Sequence, residues 1–199
     1  NINNYYLKVD KFGGKYINLN QNIVKKKKEV MSLFRTSYIS SDSLLFITTT
    51  PSFRRSQLNG MISQLSEQYR FDMARYNQLI SQKNKLLKHY PSQELLKPIN
   101  QQLVSVIQSI NQMREQYLAR IEEYVIRMLD SVDLFSGRLK LDYLATVSFG
   151  GSSDEILDVL NQNIDKEIQR KMCMIGPHRD DVEIMIDDRP LRYFYSRGI

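Results

Sequence analysis

The hexapeptide Gly-Pro-His-Arg-Asp-Asp at residues 176–181 brings four ionisable side chains into one short stretch. Gly-Pro directly after an apolar run predicts a turn, because both residues favour turns over continued strand. One interpretation is a site for a hard cation at Asp180 and Asp181, with His178 as general acid or base. The other is a structural turn in which Arg179 pairs with one of these aspartates. The spacing of the residues leaves both interpretations open.

The stretch Tyr195-Ser196-Arg197-Gly198 has residue types that suit the binding of an anion. A serine followed two residues later by glycine can open a helix whose free N–H groups face a negative charge. The hydroxyl of Ser196 adds a donor, and Gly198 lets the backbone approach a phosphate closely.

Other motifs for metal or nucleotide chemistry are missing from this sequence. The string closest to a G-x-x-x-x-G-K-[ST] phosphate loop is Gly13-Gly14-Lys15-Tyr16, which lacks the spacing and the hydroxyl. One cysteine and two histidines cannot assemble a zinc site. Cys173 lies in an apolar run and is predicted to be a buried residue and not a nucleophile. A single cysteine also excludes an internal disulfide, so a reducing cytoplasm is expected.

The charge of the chain favours a polyanionic partner. The formal net charge is +6, and apolar residues make up 42% of the sequence, enough for a hydrophobic core. No run of about 18 apolar residues is present, so no membrane span is expected. The most basic run comprises Lys25, Lys26, Lys27 and Lys28. It is either a solvated turn or a contact to nucleic acid.

The periodicity of the sequence changes twice along the chain, which divides it into three segments. Residues 1–50 favour short strands, at 5–10, 16–19 and 44–47, with a tight turn at Gly13-Gly14. Residues 135–199 contain predicted strands at 139–144, 172–175 and 182–186 and a helix after the loop 150–154.

Residues 51–134, between these segments, favour two long helices. Thr50 is a suitable N-cap and Pro51 suits the first helical position. Apolar residues then keep to one helical face from 58 to 87 and from 99 to 128, with Pro98 expected to start or kink the second helix. Two helices of roughly 50 Å joined by a short turn must run antiparallel. The predicted fold class is therefore α+β or α/β, with a long antiparallel helical hairpin, or arm, inserted between strand-bearing parts of one body.

Four stretches of the chain resemble the RecF family of bacterial recombination and repair ATPases, which are of the structural-maintenance-of-chromosomes type. Residues 40–44 and 51–55 are similar to the stretch that leads into the family's arm. Residues 75–77 and 82–88 resemble its RYN…QRNALLK helix. Gly176, Pro177, His178, Arg179, Asp180 and Asp181 are identical to its GPHRDD motif. Residues 196–198 fall where its ABC-type signature begins.

The resemblance implies the middle part of an ABC-type ATPase head with its arm, from a protein of DNA replication, recombination and repair and the SOS response. Such proteins bind ATP and Mg²⁺, form ATP-dependent homodimers on DNA, and act with RecO and RecR to load recombinase at gaps. Ser196 and Gly198 would contact the γ-phosphate held by the partner copy. The family's Walker A and Walker B motifs have no counterpart here, so the chain alone is expected to bind no cofactor and to be inactive. A cytoplasmic, nucleoid-associated location follows.

Three further expectations concern binding. Arg54 and Arg55 at the base of the arm join residues 25–28 as candidate contacts to DNA. An alternative function is a helical hairpin that docks a protein partner without nucleotide chemistry. A metal-dependent hydrolase built on His178, Asp180 and Asp181 is a third hypothesis, and the role of the hexapeptide is left open.

Overall fold

The structure is a computed structural model and describes residues 5–9, 15–19, 22–24, 46, 49–132, 137–147 and 152–193. The chain divides into two compact units, residues 1–39 and residues 40–199. Gly13-Gly14, residues 25–28, Ser196 and Gly198 lie outside the described residues.

The first unit contains a three-stranded antiparallel sheet in the order β1 (Tyr5–Val9), β2 (Lys15–Leu19) and β3 (Asn22–Val24). In the strand register, Leu7 is the partner of Ile17 in β2, and Ile17 is the partner of Val24 in β3. These strands confirm the predictions for 5–10 and 16–19. Phe46 is the one described residue of the strand predicted at 44–47, and it is helical.

Helix α1 (Pro51–Leu65) begins as predicted, with Thr50 as N-cap and proline in its first turn. The prediction of one continuous helix to residue 87 is wrong, because Ser66 has extended backbone angles and separates α1 from α2 (Glu67–Leu87). The Ser66 hydroxyl accepts a hydrogen bond from the N–H of Tyr69 at 3.1 Å. Serine can satisfy a free helical N–H in this way, so it ends one helix and caps the next.

Helix α3 (Gln93–Val132) has 40 residues and is about 60 Å long at ~1.5 Å per residue. It begins five residues before Pro98, so Pro98 does not start it. Proline lacks an N–H, and in the second turn of the helix this removes only the one bond to the Glu94 carbonyl.

Helices α2 and α3 run antiparallel, as predicted. Ser66 contacts Met113 and Asp72 contacts Ser109, so residue numbers fall along one helix as they rise along the other. The hairpin packs against other elements of the same unit. Helix α3 contacts α4 (Ser153–Gln162), α5 (Ile164–Arg170) and the strand Leu139–Leu144. One hydrophobic core joins α2, α3 and α4 to the second sheet, and Ile164 of α5 lies in a smaller cluster with Leu87, Leu96 and Cys173.

The second sheet is antiparallel and has the order β4 (Leu139–Leu144), β5 (Asp181–Ile186) and β6 (Arg189–Pro190). A two-residue turn at Asp187 and Asp188, both with positive φ, connects β5 to β6. This backbone matches the twist of a tight hairpin. The strands predicted at 139–144 and 182–186 are confirmed.

The strand predicted at residues 172–175 is wrong, because this segment forms no strand. The N–H groups of Cys173 and Met174 bond instead to the side chains of Asn84 and Glu167 on neighbouring helices. The protein is thus α+β, and in the described ranges no helix combines the length and apolar character needed to cross a membrane. The boundaries 1–50, 51–134 and 135–199 stay a prediction.

Candidate functional site

The hexapeptide at 176–181, hereafter the motif turn, forms a turn between α5 and β5. The N–H of Arg179 donates to the carbonyl of Gly176 at 2.8 Å, which closes it. Gly176, Pro177 and Asp180 are buried, whereas the side chain of Arg179 is exposed. The motif turn is therefore mostly an interior feature, and its polar groups need partners inside the protein.

Asp180 is only 1% exposed and is surrounded by donors. One carboxylate oxygen accepts from the backbone N–H of Thr146 at 2.7 Å and from its hydroxyl at 2.8 Å. The other accepts from the hydroxyl of Tyr143 at 2.5 Å and from Arg114 at 3.4 Å. Burial raises the pKa of Tyr143, so this hydroxyl keeps its proton and donates.

Arg114 on α3 is the central donor of this network and is 1% exposed. Its guanidinium donates to five groups, which are Asn59 Oδ1, Tyr69 Oη, Tyr143 Oη, the Pro177 carbonyl and Asp180. These acceptors lie on α1, α2, β4 and the motif turn. One side chain thus holds four elements together, and we call this set the arginine network.

Asp181 has a separate partner. It receives two hydrogen bonds from Arg54 of α1, at 2.8 and 2.6 Å, and Arg54 also donates to the Thr49 carbonyl at 2.6 Å. Burial of Asp181 opposes ionisation, but the bonds from Arg54 outweigh it and hold the pKa of the carboxyl below its usual value. Paired charges of this geometry are charge-assisted and directional.

The contacts of Arg54 and Arg55 bear on their expected role in binding DNA. Arg54 is 4% exposed and its donors are engaged, which speaks against a contact to DNA. Arg55 is half-buried and donates to the carbonyl of Asp180 at 2.7 Å. Contact with DNA by Arg55 or by residues 25–28 stays a prediction.

His178 bridges the motif turn to α2. Its Nδ1 lies 2.5 Å from the hydroxyl of Tyr76, and its Nε2 lies 3.1 Å from the carbonyl of Cys173. A carbonyl can only accept, so Nε2 carries the proton and Nδ1 accepts from Tyr76. Burial lowers the pKa of His178 and raises that of Tyr76, which favours this neutral pairing.

We expect the free energy of unfolding to fall as the pH drops below about 6.5, the ordinary pKa of histidine. The unfolded chain binds a proton on His178 there, whereas the folded chain does so only at lower pH. The contribution is therefore complete above that pKa and is lost between it and the folded value. Urea denaturation across this range measures the slope. His178→Gln should flatten it, and an unchanged slope in that variant would contradict the assignment.

Gly176 allows α2 to approach the motif turn closely. Its φ is +121°, in the region that favours glycine, and a Cβ there would lie 2.5 Å from the Tyr76 hydroxyl. Its N–H donates to the Thr146 hydroxyl at 2.8 Å. The glycine is required by space as well as by backbone conformation.

The segment before the motif turn is fixed by α2 and α5. The N–H of Cys173 donates to Asn84 at 2.7 Å, and that of Met174 donates to Glu167 at 2.8 Å. Glu167 also pairs with Lys83 at 2.6 Å, with both side chains at most 1% exposed. These bonds replace a strand ladder, which explains why residues 172–175 do not form a strand.

Cys173 is buried as predicted, at 1% exposure. Burial raises the pKa of its thiol to about 12, so the thiolate that would act as a nucleophile is not formed near neutral pH. Its thiol therefore acts as a small buried apolar group.

The two sequence-based interpretations of the motif turn are both replaced by this geometry. Arg179 pairs with neither aspartate, since it donates to the Cys173 carbonyl at 3.2 Å. Asp180 and Asp181 use their oxygens on different arginines, and within the described ranges no group of three or more His, Cys, Asp or Glu could hold a metal ion. The metal-dependent hydrolase therefore has no support from this arrangement.

Sequence reasoning missed the partners of the motif turn, which are Arg114, Tyr143, Thr146 and Tyr76. Arg114 had a detectable signal. It continues the apolar stripe of Ile107, Ile110 and Leu118 at helical spacing, so a charge falls on a buried face. A charge in such a position requires a buried partner.

No protein-family model matches the chain. Among curated proteins, it is 30% identical over 193 residues to the DNA replication and repair protein RecF of Thermoanaerobacter sp. (strain X514), covering 92% of this chain and 53% of that protein. For RecF of Clostridium perfringens (strain SM101 / Type A), the identity is 26% over 190 residues, covering 94% and 53%.

Two solved structures share the fold. The structure of the recombination mediator protein RecF-ATP in the RecFOR pathway has a TM-score of 0.83 and 25% identity, covering 94% of this chain and 52% of that chain. The RecF-ATPrS structure has a TM-score of 0.82 at the same identity, covering 98% and 54%.

The fold and the motif turn define an α+β protein in which a helical hairpin is fixed to an antiparallel sheet by buried ion pairs. The chain spans about half the length of the curated relatives it matches. It resembles the middle segment of RecF, as the sequence motifs predict.

Proposed function

We propose that this chain is the arm-containing part of a RecF-like protein that binds DNA as an ATP-dependent dimer and helps to load recombinase at gaps. The observation that carries the proposal is the meeting of the two motifs of the resemblance. One is the motif turn, and the other is the helix motif, residues 75–77 and 82–88. Tyr76, Lys83 and Asn84 of the helix motif hold residues 172–178, directly or through Glu167. The residues that carry the resemblance to RecF therefore also form contacts that hold this fold together.

Nucleotide chemistry is proposed for the intact parent protein, with ATP and Mg²⁺ as its cofactors. Ser196 and Gly198 would donate hydrogen bonds to the γ-phosphate of an ATP bound by the partner copy. The chain leading to them is anchored, because Leu191 is buried and Arg192 pairs with Glu183 at 2.8 Å. The short helical turn Leu191–Tyr193, which precedes Ser196 in sequence, is thus fixed to the sheet.

The partners in this proposal are duplex or gapped DNA, RecO and RecR, in a cytoplasmic, nucleoid-associated setting. The net charge of +6 supports attraction to DNA phosphates, through residues 25–28 and Arg55 as candidate contacts. Buried Arg54 has a structural task instead, since it joins α1 to β5.

In the intact parent protein, Ser196→Arg is expected to abolish ATP-dependent dimerisation while monomeric ATP binding stays unchanged. The bulky side chain would occupy the space of the phosphate contact, but it leaves the nucleotide site of its own subunit intact. Sedimentation with and without ATP measures dimerisation, and fluorescent ATP measures binding.

The matched control is Ser131→Arg, on an exposed part of α3, which should dimerise normally. Dimers of the Ser196→Arg protein in ATP would refute the assignment of the signature. Loss of dimers in both variants would show a general effect of the added charge, and this result would also refute the assignment of the signature to Ser196.

A further inference from the structure

A basic and apolar surface lies where the α2–α3 turn meets the end of α5. It consists of Tyr90, Lys171, Met172 and Arg179, and we call it the tip surface. The Nζ of Lys171 lies 4.5 Å from the centre of the Tyr90 ring, and a guanidinium nitrogen of Arg179 lies 3.5 Å from the Met172 sulfur. Tyr90 is 65% exposed and Met172 is 44% exposed. None of these side chains belongs to the arginine network.

The tip surface rests on a rigid base. Directly behind Met172, the backbone of Cys173 donates to Asn84 and accepts from His178 and Arg179. The buried Lys83–Glu167 pair fixes the same segment. A partner that binds here orders little of the protein, so less binding free energy is lost to conformational entropy.

Two backbone positions of the tip surface are unusual. Tyr90 and Lys171 have φ of 50° and 56°, a region that side chains other than glycine adopt infrequently. In the described part of the chain, the other such non-glycine residues, Asp187 and Asp188, form a tight hairpin turn that requires this conformation. Lys171 is the left-handed C-cap of α5, and its N–H bonds to the carbonyls of Glu167 and Ile168. Tyr90 lies in the turn that follows α2, so two helix ends bring an aromatic ring and a cation together in solvent.

The surroundings of the tip surface carry an excess of positive charge. The two segments that meet here, 85–97 and 165–172, contain six lysines and arginines against three acidic residues. Of those acidic residues, Glu167 is neutralised by buried Lys83 and Glu94 pairs with Lys97 at 3.3 Å. The opposite end of α3, residues 115–130, has two arginines against four acidic residues. Of the two ends of α3, the one at the tip surface is thus the positively charged one.

We infer that the tip surface binds a segment of a partner protein in which acidic side chains flank an apolar one. The carboxylates would pair with Lys171 and Arg179, and the apolar side chain would cover Tyr90 and Met172. Tyrosine, methionine and arginine are the residue types enriched at protein interfaces. A duplex would use the cations through its phosphates but would leave Met172 uncovered, so the apolar exposure favours a peptide.

Selection from a displayed library of random peptides of about twelve residues tests this inference on the whole chain, with one enriched peptide then labelled for anisotropy. We expect peptides rich in Asp and Glu beside Phe, Leu or Met. The double variant Tyr90→Ala/Lys171→Glu should bind the labelled peptide at least about tenfold more weakly. Both side chains are exposed, so thermal melting should show an unchanged fold.

The matched control is Tyr124→Ala/Arg127→Glu, because these residues form a similar exposed ring–cation pair on α3. It should keep the affinity of the unchanged chain. Peptides without acidic enrichment, or equal loss in both double variants, would overturn the inference. A third contradicting result would be that labelled duplex DNA binds the chain, that no peptide does, and that Tyr90→Ala/Lys171→Glu weakens the binding of the DNA.

Discussion

Replacing Arg114 with leucine is expected to lower the free energy of unfolding by about 3–5 kcal/mol. The substitution leaves the Asp180 carboxylate buried without its cation and removes a donor from the carbonyl of Pro177. It also disconnects Asn59 and Tyr69 from the motif turn, so four elements lose their shared partner. Chemical denaturation with urea, analysed with the slope free, measures the loss.

Arg127→Leu is the matched control for Arg114→Leu. Arg127 pairs with Glu123 on the same helix, but both side chains are more than half exposed. Exposed pairs contribute about 0–1 kcal/mol, so the control should change stability little. If Arg114→Leu also cost less than about 1 kcal/mol, the network would be peripheral and not the joint of the fold.

Replacing Lys83 with methionine is expected to destabilise the protein by about 3 kcal/mol or more. Glu167 would remain as an unpaired charge in a site with no exposure, where water cannot replace the lost ammonium group. The cost comes from the charge left behind and not from the removed contact. Urea denaturation measures this loss as well.

The double variant Lys83→Met/Glu167→Gln should recover much of the stability, because glutamine removes the charge and keeps an acceptor for the N–H of Met174. Lys97→Met is a surface control, since Lys97 and Glu94 form an exposed pair that should contribute little. A double variant as unstable as the sum of its single changes would contradict the interpretation of a coupled pair.

Three ion pairs connect the family motifs to other parts of the fold. The motif turn supplies Asp180 to Arg114 and Asp181 to Arg54, while the helix motif supplies Lys83 to Glu167. Each pair joins segments distant in sequence. Breaking any of them should therefore loosen the packing of the helices against the segment that contains the motif turn and β5.

The secondary structure was largely predictable where local patterns are strong. Thr50-Pro51 marks the start of α1, and alternation predicts β4 and β5, because capping and side-chain period act over a few neighbouring residues. The break at Ser66 and the absence of a strand at 172–175 were not predictable in this way. Both depend on which group accepts a hydrogen bond from a backbone N–H. At the break the acceptor is the Ser66 hydroxyl, and at 172–175 the acceptors are the side chains of Asn84 and Glu167.

Local composition and motifs along the chain were enough to predict the helical hairpin, the strands β4 and β5, the burial of Cys173 and the resemblance to RecF. The contacts of the motif turn could be read only from the folded protein. Whether Asp180 and Asp181 would bind a cation, pair with Arg179 or pair with distant arginines depends on charges that lie far apart in sequence. Folding brings Arg114 and Arg54 to these aspartates, and buried carboxylates are stable only beside such donors.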